Sequence, residues 1–409
     1  MTPTRRWARR EYLDEILPLL WPAPARIQTD GATGGMRYVL LPSARRPKVM
    51  VPSRPRRAAA AVLRNYKSSA GAAQQARLVA MSLGARLGVA DLLPARVSID
   101  STDCGPSGTI ESYLSDALGR EVIVSLYVGA PGRANRKPVL QLLTRSGETF
   151  AFAKIGMTAL TRDLVADEGE ALASLGEQQL TSVRVPPLLH RGQWHDYQVL
   201  VQAALPRASR APVNPALLRA AMVEVAASHG THTTSAQEST YWAEADRRLR
   251  ALPPSAPAAA LVAQWDALAP IGASSLTFGA WHGDWTPWNM TMSEDRALVW
   301  DWERFDPDVP VGFDALHYQL QSAIVRGGIA APEATRRLMA EAATLLHPLG
   351  VPAAAASLVA ALYLVEIGTR YLADGQAEAG AALGDLDLWL LPALRAHVEQ
   401  ISPRPTGIT

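Results

Sequence analysis

The sequence predicts an α+β protein: a small strand-rich lobe, then a larger helical lobe, with an extra α/β module in front. Three observations predict it. Short apolar runs separated by turns, "EVIVSLYV", "VLQLL", "TFAFAKI" and "YQVLVQAAL", lie between residues 121 and 205 and read as strands. Beyond about residue 212 the apolar patterns have the helical period, interrupted by "WHGDWTPWNM" and "VWDWERFDPD". Ahead of both, residues 1–105 combine a strand hairpin with helices and end in the turn-rich joint "STDCGPSG". The expected domains are therefore 1–105, 106–205 and 206–409, with a cleft between the two lobes.

In chain order, "REYLDEILPLLW" reads as a helix rather than a signal peptide, because Glu11, Asp14 and Glu15 precede an apolar stretch that is too short. "MRYVLLP" and "PKVMV" form the hairpin, and "RRAAAAVLRNY" and "AAQQARLVAMSLGARLG" are helices, the second closed by Gly88. "TIESYLSDALG" is a short helix ending at Gly119. The strands follow, with the helix "RDLVADEGEALASLGE" placed before the last, which Pro206 stops. Five helical patterns then run from "PALLRAAMVEVAASH" to "LDLWLLPALRAHVEQI".

Composition narrows the class. At 409 residues the chain exceeds one average domain, and with 48% hydrophobic and 19% charged residues it is neither disordered nor fibrous. The single cysteine, Cys104, excludes an internal disulfide and fits a reducing cytosol. The longest uncharged run, Gly350 to Val365, is shorter than a membrane-spanning helix needs. It predicts a buried helix and a soluble, cytoplasmic protein with no membrane partner. Net charge is only +2, yet Met1 to Lys67 carries 14 Lys/Arg against 4 Asp/Glu. Such an arm is either a solvated basic face docked on an acidic lobe or a tether to nucleic acid or anionic lipid. No aromatic-and-glycine motif accompanies the charge, so no nucleic acid is expected. Oligomeric state is open.

The chemistry sits in the two interruptions. Five of the eleven tryptophans fall between Trp281 and Trp302, around Asp284, Asn289 and Asp301. Phosphoryl transfer from ATP needs an acid that orients the attacking hydroxyl, an asparagine a few residues on, and a later aspartate on a separate turn. Asp284, Asn289 and Asp301 have that order, and "SEDR" can turn one short strand into another between them. Their hard oxygens suit Mg²⁺.

The pattern His-Gly-Asp-x-x-x-x-Asn followed by Asp-Trp-Glu resembles the aminoglycoside phosphotransferase and choline kinase-like family of small-molecule kinases, over roughly residues 107–400. The resemblance implies a bilobal, protein kinase-like fold, ATP and Mg²⁺ as cofactors, and a small-molecule hydroxyl as acceptor. It implies Asp284 as catalytic acid, Asn289 and Asp301 as metal ligands, and His282 and Asp314 as supports of the loop. A lysine on the third strand and a glutamate on the next helix are expected of the family. Lys154 takes the first place; Glu168 takes the second, with Glu170 as competitor, because Leu172 and Leu175 share its spacing. Gly129 and Gly132 sit where a phosphate loop belongs, although a plain hairpin turn fits equally. Gln202 and Ala204 mark the expected adenine-binding hinge.

Trp285, Trp288 and Glu303 are the candidates for touching substrate, by stacking on a sugar or attracting an amine; core packing is the competing reading, and it is preferred for Trp300 and Trp302. Asp306 and Asp308 read as solvated turn residues, and Glu366 with Arg370 as an i, i+4 ion pair. The acceptor implied is a sugar, amino sugar or aminoglycoside-like compound. The alternative is a catalytically weak pseudokinase that binds nucleotide as a regulatory module.

Overall fold

The structure, a computed structural model, describes residues 4–29, 35–65, 72–88, 96–206 and 212–402; parts of the basic arm and of the segment after the expected hinge lie outside them. The chain forms two compact units. The first comprises Met1–Pro131, Asn135–Gly169 and Pro186–Pro206; the second comprises Gly132–Ala134, Glu170–Val185 and Arg207–Thr409.

The first unit opens with α1 (Thr4–Leu20), β1 (Arg26–Thr29), β2 (Met36–Leu41), β3 (Val49–Pro52), α2 (Arg56–Asn65), α3 (Ala72–Arg86) and β4 (Arg96–Asp100). Then follow α4 (Ile110–Leu118), β5 (Ile123–Tyr127), β6 (Val139–Leu143), β7 (Thr149–Gly156) and α5 (Ala159–Gly176). After β8 (Val183–Arg184), which belongs to the second unit, β9 (Leu188–Trp194) and β10 (Tyr197–Ala203) complete it. α1 buries Leu13, Ile16, Leu17 and Leu20, one face at helical spacing. α4 starts at a capping box, Thr109 with Ser112, and stops at Gly119 in the left-handed region.

Here the expected boundary at residue 105 gives way. The sheet is continuous, in the order β1-β4-β2-β3-β5-β6-β7-β10-β9. The N-terminal strands join the later ones through β3 and β5, with Val49 opposite Tyr127 and Met50 opposite Leu126. Residues on either side of residue 105 share one apolar layer, which contains Leu20 of α1 and Tyr38, Met50, Leu126, Leu140 and Val201 of the strands. A strand pair between residues so distant in sequence leaves no local pattern, which is why the sequence reads as two modules and the fold makes one sheet. The helix–turn segment Glu170–Val185 likewise clusters with the second unit rather than with the strands before it.

The second unit contains β8, α6 (Pro215–Ala227), β11 (His232–Ser235), α7 (Thr240–Arg250), α8 (Ala256–Leu268), β12 (Ser275–Trp281), β13 (Met290–Met292), β14 (Ala297–Val299) and β15 (Asp306–Pro310). Four helices close it: α9 (Phe313–Gln321), α10 (Ala331–Leu346), α11 (Ala353–Ala373) and α12 (Leu390–Ile401). Two small sheets, β11-β12-β15 and β13-β14-β8, stand among the helices. α11 is the helix read from "AASLVAALYLVEIGTRYLA" and carries the uncharged run on through Glu366 and Arg370. By length and composition it could cross a membrane, but 78% of its apolar stretch is buried inside the unit. There its all-round apolar surface meets α8, α9, α10 and α12.

Candidate active site

β12 runs into a loop that returns as β13, and each turn of that loop is held by a named group. Gly283 sits at φ +82°, and a Cβ there would lie 2.0 Å from the carbonyl oxygen of Arg304, so the glycine of the His-Gly-Asp triplet is required. The backbone N–H groups of His282 and Gly283 donate to the two carboxylate oxygens of Asp314, at 2.7 and 3.2 Å. Burial pushes the Asp314 carboxyl up to about 7, against the pull of those two donors. Arg370 on α11 donates to the Gly283 carbonyl at 2.6 Å, and Arg326 to that of Pro287 at 3.1 Å.

His282 links the loop to the next turn. Its Nδ1 accepts from the Asp284 N–H at 3.1 Å, which leaves Nε2–H to donate to the Trp300 carbonyl at 3.1 Å. The ring is fully buried beside Trp302, and burial lowers its pKa to about 4, so it is neutral.

Asp284 keeps 35% of its side chain exposed. Its Oδ2 accepts from Asn289 Nδ2 at 2.8 Å, and the same amide reaches its backbone carbonyl at 3.0 Å. Its Oδ1 accepts from His317 Nε2 at 2.9 Å. Burial opposes ionisation, but the hydrogen bond and electrostatic interaction with His317, and after them the nearby charge of Arg370, outweigh it and hold the carboxyl below its usual range.

The hairpin β13–β14 then brings the second aspartate round. Met290 pairs with Val299, and the Trp300 N–H donates to the Asn289 carbonyl at 3.0 Å. Asp301 is the next residue, at φ +75°, a conformation that costs a non-glycine residue energy and concentrates at functional positions. Because Asn289 spends its Nδ2 on Asp284, its other functional atom is the carbonyl oxygen. That oxygen and the Asp301 carboxylate are hard donors of the kind Mg²⁺ takes, so the donor set fits the metal the motif implies.

In the first unit, Lys154 on β7 donates from Nζ to both carboxylate oxygens of Glu168 on α5, each at 2.6 Å. Glu170 points outward and is exposed. Gly129 is the residue whose carbonyl Arg136 holds at 2.9 Å, while the guanidinium of Arg136 lies 3.5 Å over the Tyr12 ring. Gly132 stands at φ +72°. Gln202 is buried at a β-bulge of β10, with its Oε1 lacking a hydrogen-bond partner among the described residues. At Ala204, the other residue of the expected hinge, the backbone N–H donates to the Phe150 carbonyl at 2.8 Å.

The chain is similar to kinases of small molecules. A thermostable mutant of aminoglycoside phosphotransferase APH(4)-Ia, solved with ADP and hygromycin B, is 12% identical over 71% of this chain and 98% of that one, with a TM-score of 0.45. Amicoumacin kinase hAmiN, solved with AMP-PNP, Ca²⁺ and Ami, is 12% identical over 68% of this chain and 90% of its own, at 0.43. A candidate fructosamine-3-kinase from Thermobifida fusca is 17% identical over 72% and 100%, at 0.41. No family model and no curated protein matches the chain.

Several expectations change on contact with the geometry. Trp285 is 0% exposed and donates its indole N–H to the Met290 sulfur at 3.2 Å, so it packs beneath the loop and has no face for a substrate. Trp288 is 38% exposed. Trp302 is buried, as core packing requires, and Glu303 is buried too. Asp306 and Asp308 lie in β15, where Asp308 accepts from the Thr240 hydroxyl, rather than in a solvated turn. Glu366 and Arg370 are not paired with each other: Glu366 takes a bidentate bond from Arg248 at 2.8 Å, while Arg370 turns to Gly283.

Sequence reading passed over His317 and Arg370 as parts of the loop. One signal was available for His317: in "GFDALHY" it follows Asp314 by three residues, which puts both on one helical face.

Proposed function

We propose that this chain is an ATP-dependent phosphotransferase that moves the γ-phosphate of ATP to a hydroxyl of a small molecule. The observation that carries this reading is the placement of Asp284: held through both oxygens and still partly open to solvent, with surroundings that favour its ionised form. A carboxylate so held can accept the proton of an incoming hydroxyl as its oxygen bonds the γ-phosphorus and the bridging P–O bond to ADP breaks. Asn289, through its carbonyl oxygen, and Asp301 are the residues that would hold Mg²⁺. What the cation supplies there is neutralisation of phosphate charge.

Lys154, steadied by Glu168, would pair with the α- and β-phosphates. Gln202 offers a buried acceptor near the end of β10 for a nucleotide amine. Gly129 and Gly132 would shape the phosphate loop, with Arg136 committed to Gly129 rather than to a phosphate. Because the Ala204 N–H is already used, its carbonyl is the hinge group left to this reading.

The acceptor we favour is a sugar, amino sugar or aminoglycoside-like compound. The half-open Trp288 indole supports it, since such a face stacks on a sugar ring or draws an ammonium group. ATP as donor and the free thiol of Cys104 fit work in the cytoplasm.

The test is ADP release from Mg²⁺-ATP across sugars, amino sugars, aminoglycosides and choline, with Asp284→Asn as the blank. Turnover that the variant lacks is the expected result. Equal ADP release by both proteins would sink the assignment, and nucleotide binding with no release on any acceptor would favour the pseudokinase reading.

A further inference from the structure

Asp284 is reached from behind by two helices. His317 on α9 is 1% exposed, with Nε2 2.9 Å from Asp284 Oδ1 and Nδ1 3.0 Å from the hydroxyl of Tyr363 on α11. Tyr363 is 0% exposed, and its hydroxyl is held far from ionising by burial. A phenol that stays protonated donates to Nδ1, and this fixes the imidazole as its Nε2–H tautomer. Nε2–H then donates to Oδ1. Burial lowers the pKa of His317, in keeping with a neutral ring.

Asn289 occupies one lone pair of Oδ2 and His317 one of Oδ1, so the carboxylate has no freedom to rotate about its Cβ–Cγ bond. Its remaining lone pairs are left for a group arriving from solvent, to which 35% of the side chain is open. An apolar side chain would fill the His317 pocket at least as cheaply, because a buried imidazole must find two partners to offset its desolvation. Here one of those partners is the carboxylate at the mouth of the site.

We propose that His317, with its tautomer set by Tyr363, is the positioning residue that orients Asp284 toward the acceptor hydroxyl. The proposal rests on the phosphotransferase reading above. Asn289 alone would hold the carboxylate by a single hydrogen bond to Oδ2, about which the whole group can rock; the second bond, from His317 to Oδ1, stops that rocking.

The experiment measures kcat and KM for Mg²⁺-ATP in ADP formation, with the best acceptor of the panel or, with none, water. The proteins are the wild type, Asp284→Asn, His317→Leu, His317→Gln and Tyr363→Phe. His317→Leu should lower kcat about 100-fold, the scale of a misplaced catalytic group, while KM for ATP stays within about twofold. His317→Gln, whose side-chain amide can reach the same oxygen, should recover at least about tenfold of that loss. Tyr363→Phe should fall between the wild type and His317→Leu.

A His317→Leu protein with wild-type kcat, or equal losses in the Leu and Gln variants, overturns the positioning role while the phosphotransferase reading stands. Equal ADP formation by wild type and Asp284→Asn removes both. Independently of turnover, the ¹⁵N shifts of the His317 ring at neutral pH should show a protonated Nε2 and a bare Nδ1. A doubly protonated ring, or the opposite tautomer, overturns the proposal even if the Leu variant fails to fold.

Discussion

Lys154 and Glu168 meet inside the first unit with side chains 7% and 0% exposed, the ammonium bridging both carboxylate oxygens. The strand residue and the helix residue are 14 positions apart, and burial of the whole pair rather than spacing makes Glu168 the partner and leaves Glu170 in solvent.

Removing one member of such a pair takes two short hydrogen bonds from a charge that stays out of water. Lys154→Met should therefore destabilise the fold by about 3–5 kcal/mol in urea unfolding, and Lys154→Met with Glu168→Gln by much less than the sum of the singles. Additive losses would show that the two side chains do not act as a pair.

Two tryptophans of one loop should behave oppositely. Trp285→Ala empties a buried site and should cost about 3–5 kcal/mol. Trp288→Ala, at a half-open position, should stay within about 0.5 kcal/mol in stability and instead raise KM for the acceptor. A stability loss of the Trp285 size at Trp288 would place that ring in the core and withdraw it from the substrate.

Glu366 on α11 and Arg248 on α7 form a bidentate pair with Glu366 nearly sealed and Arg248 still 30% exposed. Glu366→Ala should cost about 3 kcal/mol, the low end of the buried-pair range because Arg248 keeps contact with water. Arg370→Ala should leave this pair intact and act on the Gly283 turn instead. The two effects are separated by measuring unfolding for both variants and turnover for the second.

The pH dependence of stability should carry the signature of Asp314. Its folded carboxyl titrates at about 7, against the ordinary 3.8. A raised folded pKa means that the unfolded chain ionises first. The contribution is therefore complete below about pH 4 and is lost as pH rises toward 7, at about 1.4 kcal/mol per unit. Asp314→Asn removes that titration. Its stability deficit relative to wild type should be largest near pH 4 and shrink by pH 7, read from denaturant unfolding at both ends. A deficit that grows with pH would mean that the carboxylate is ionised throughout, held by the N–H groups of His282 and Gly283.

Much was legible from residues alone because the relevant signals are local. The Asp284 to Asn289 spacing becomes a direct hydrogen bond at five residues' separation. The "SEDR" turn becomes the β13–β14 hairpin that carries Asp301 round. The strands from β5 to β7 and the helices α4, α6, α8 and α10 to α12 declare themselves through period and caps. Strands β11, β12 and β15 do not: each is paired with a strand far along the chain, which leaves no local pattern.

The sequence by itself determined which chemical groups stand in the loop and in what order, since a motif is a statement about neighbours. Only the tertiary structure decided what those groups lean on. His317 reaches Asp284 across 33 residues, Tyr363 reaches His317 across 46, Arg370 reaches Gly283 across 87, and Arg248 reaches Glu366 across 118. The same holds for the sheet that unites both sides of residue 105, and for Trp285, buried where a substrate face was expected. Periodicity and spacing reach about one helical turn or one hairpin; burial is decided by the whole unit, and it is burial that chooses the partner of each charge.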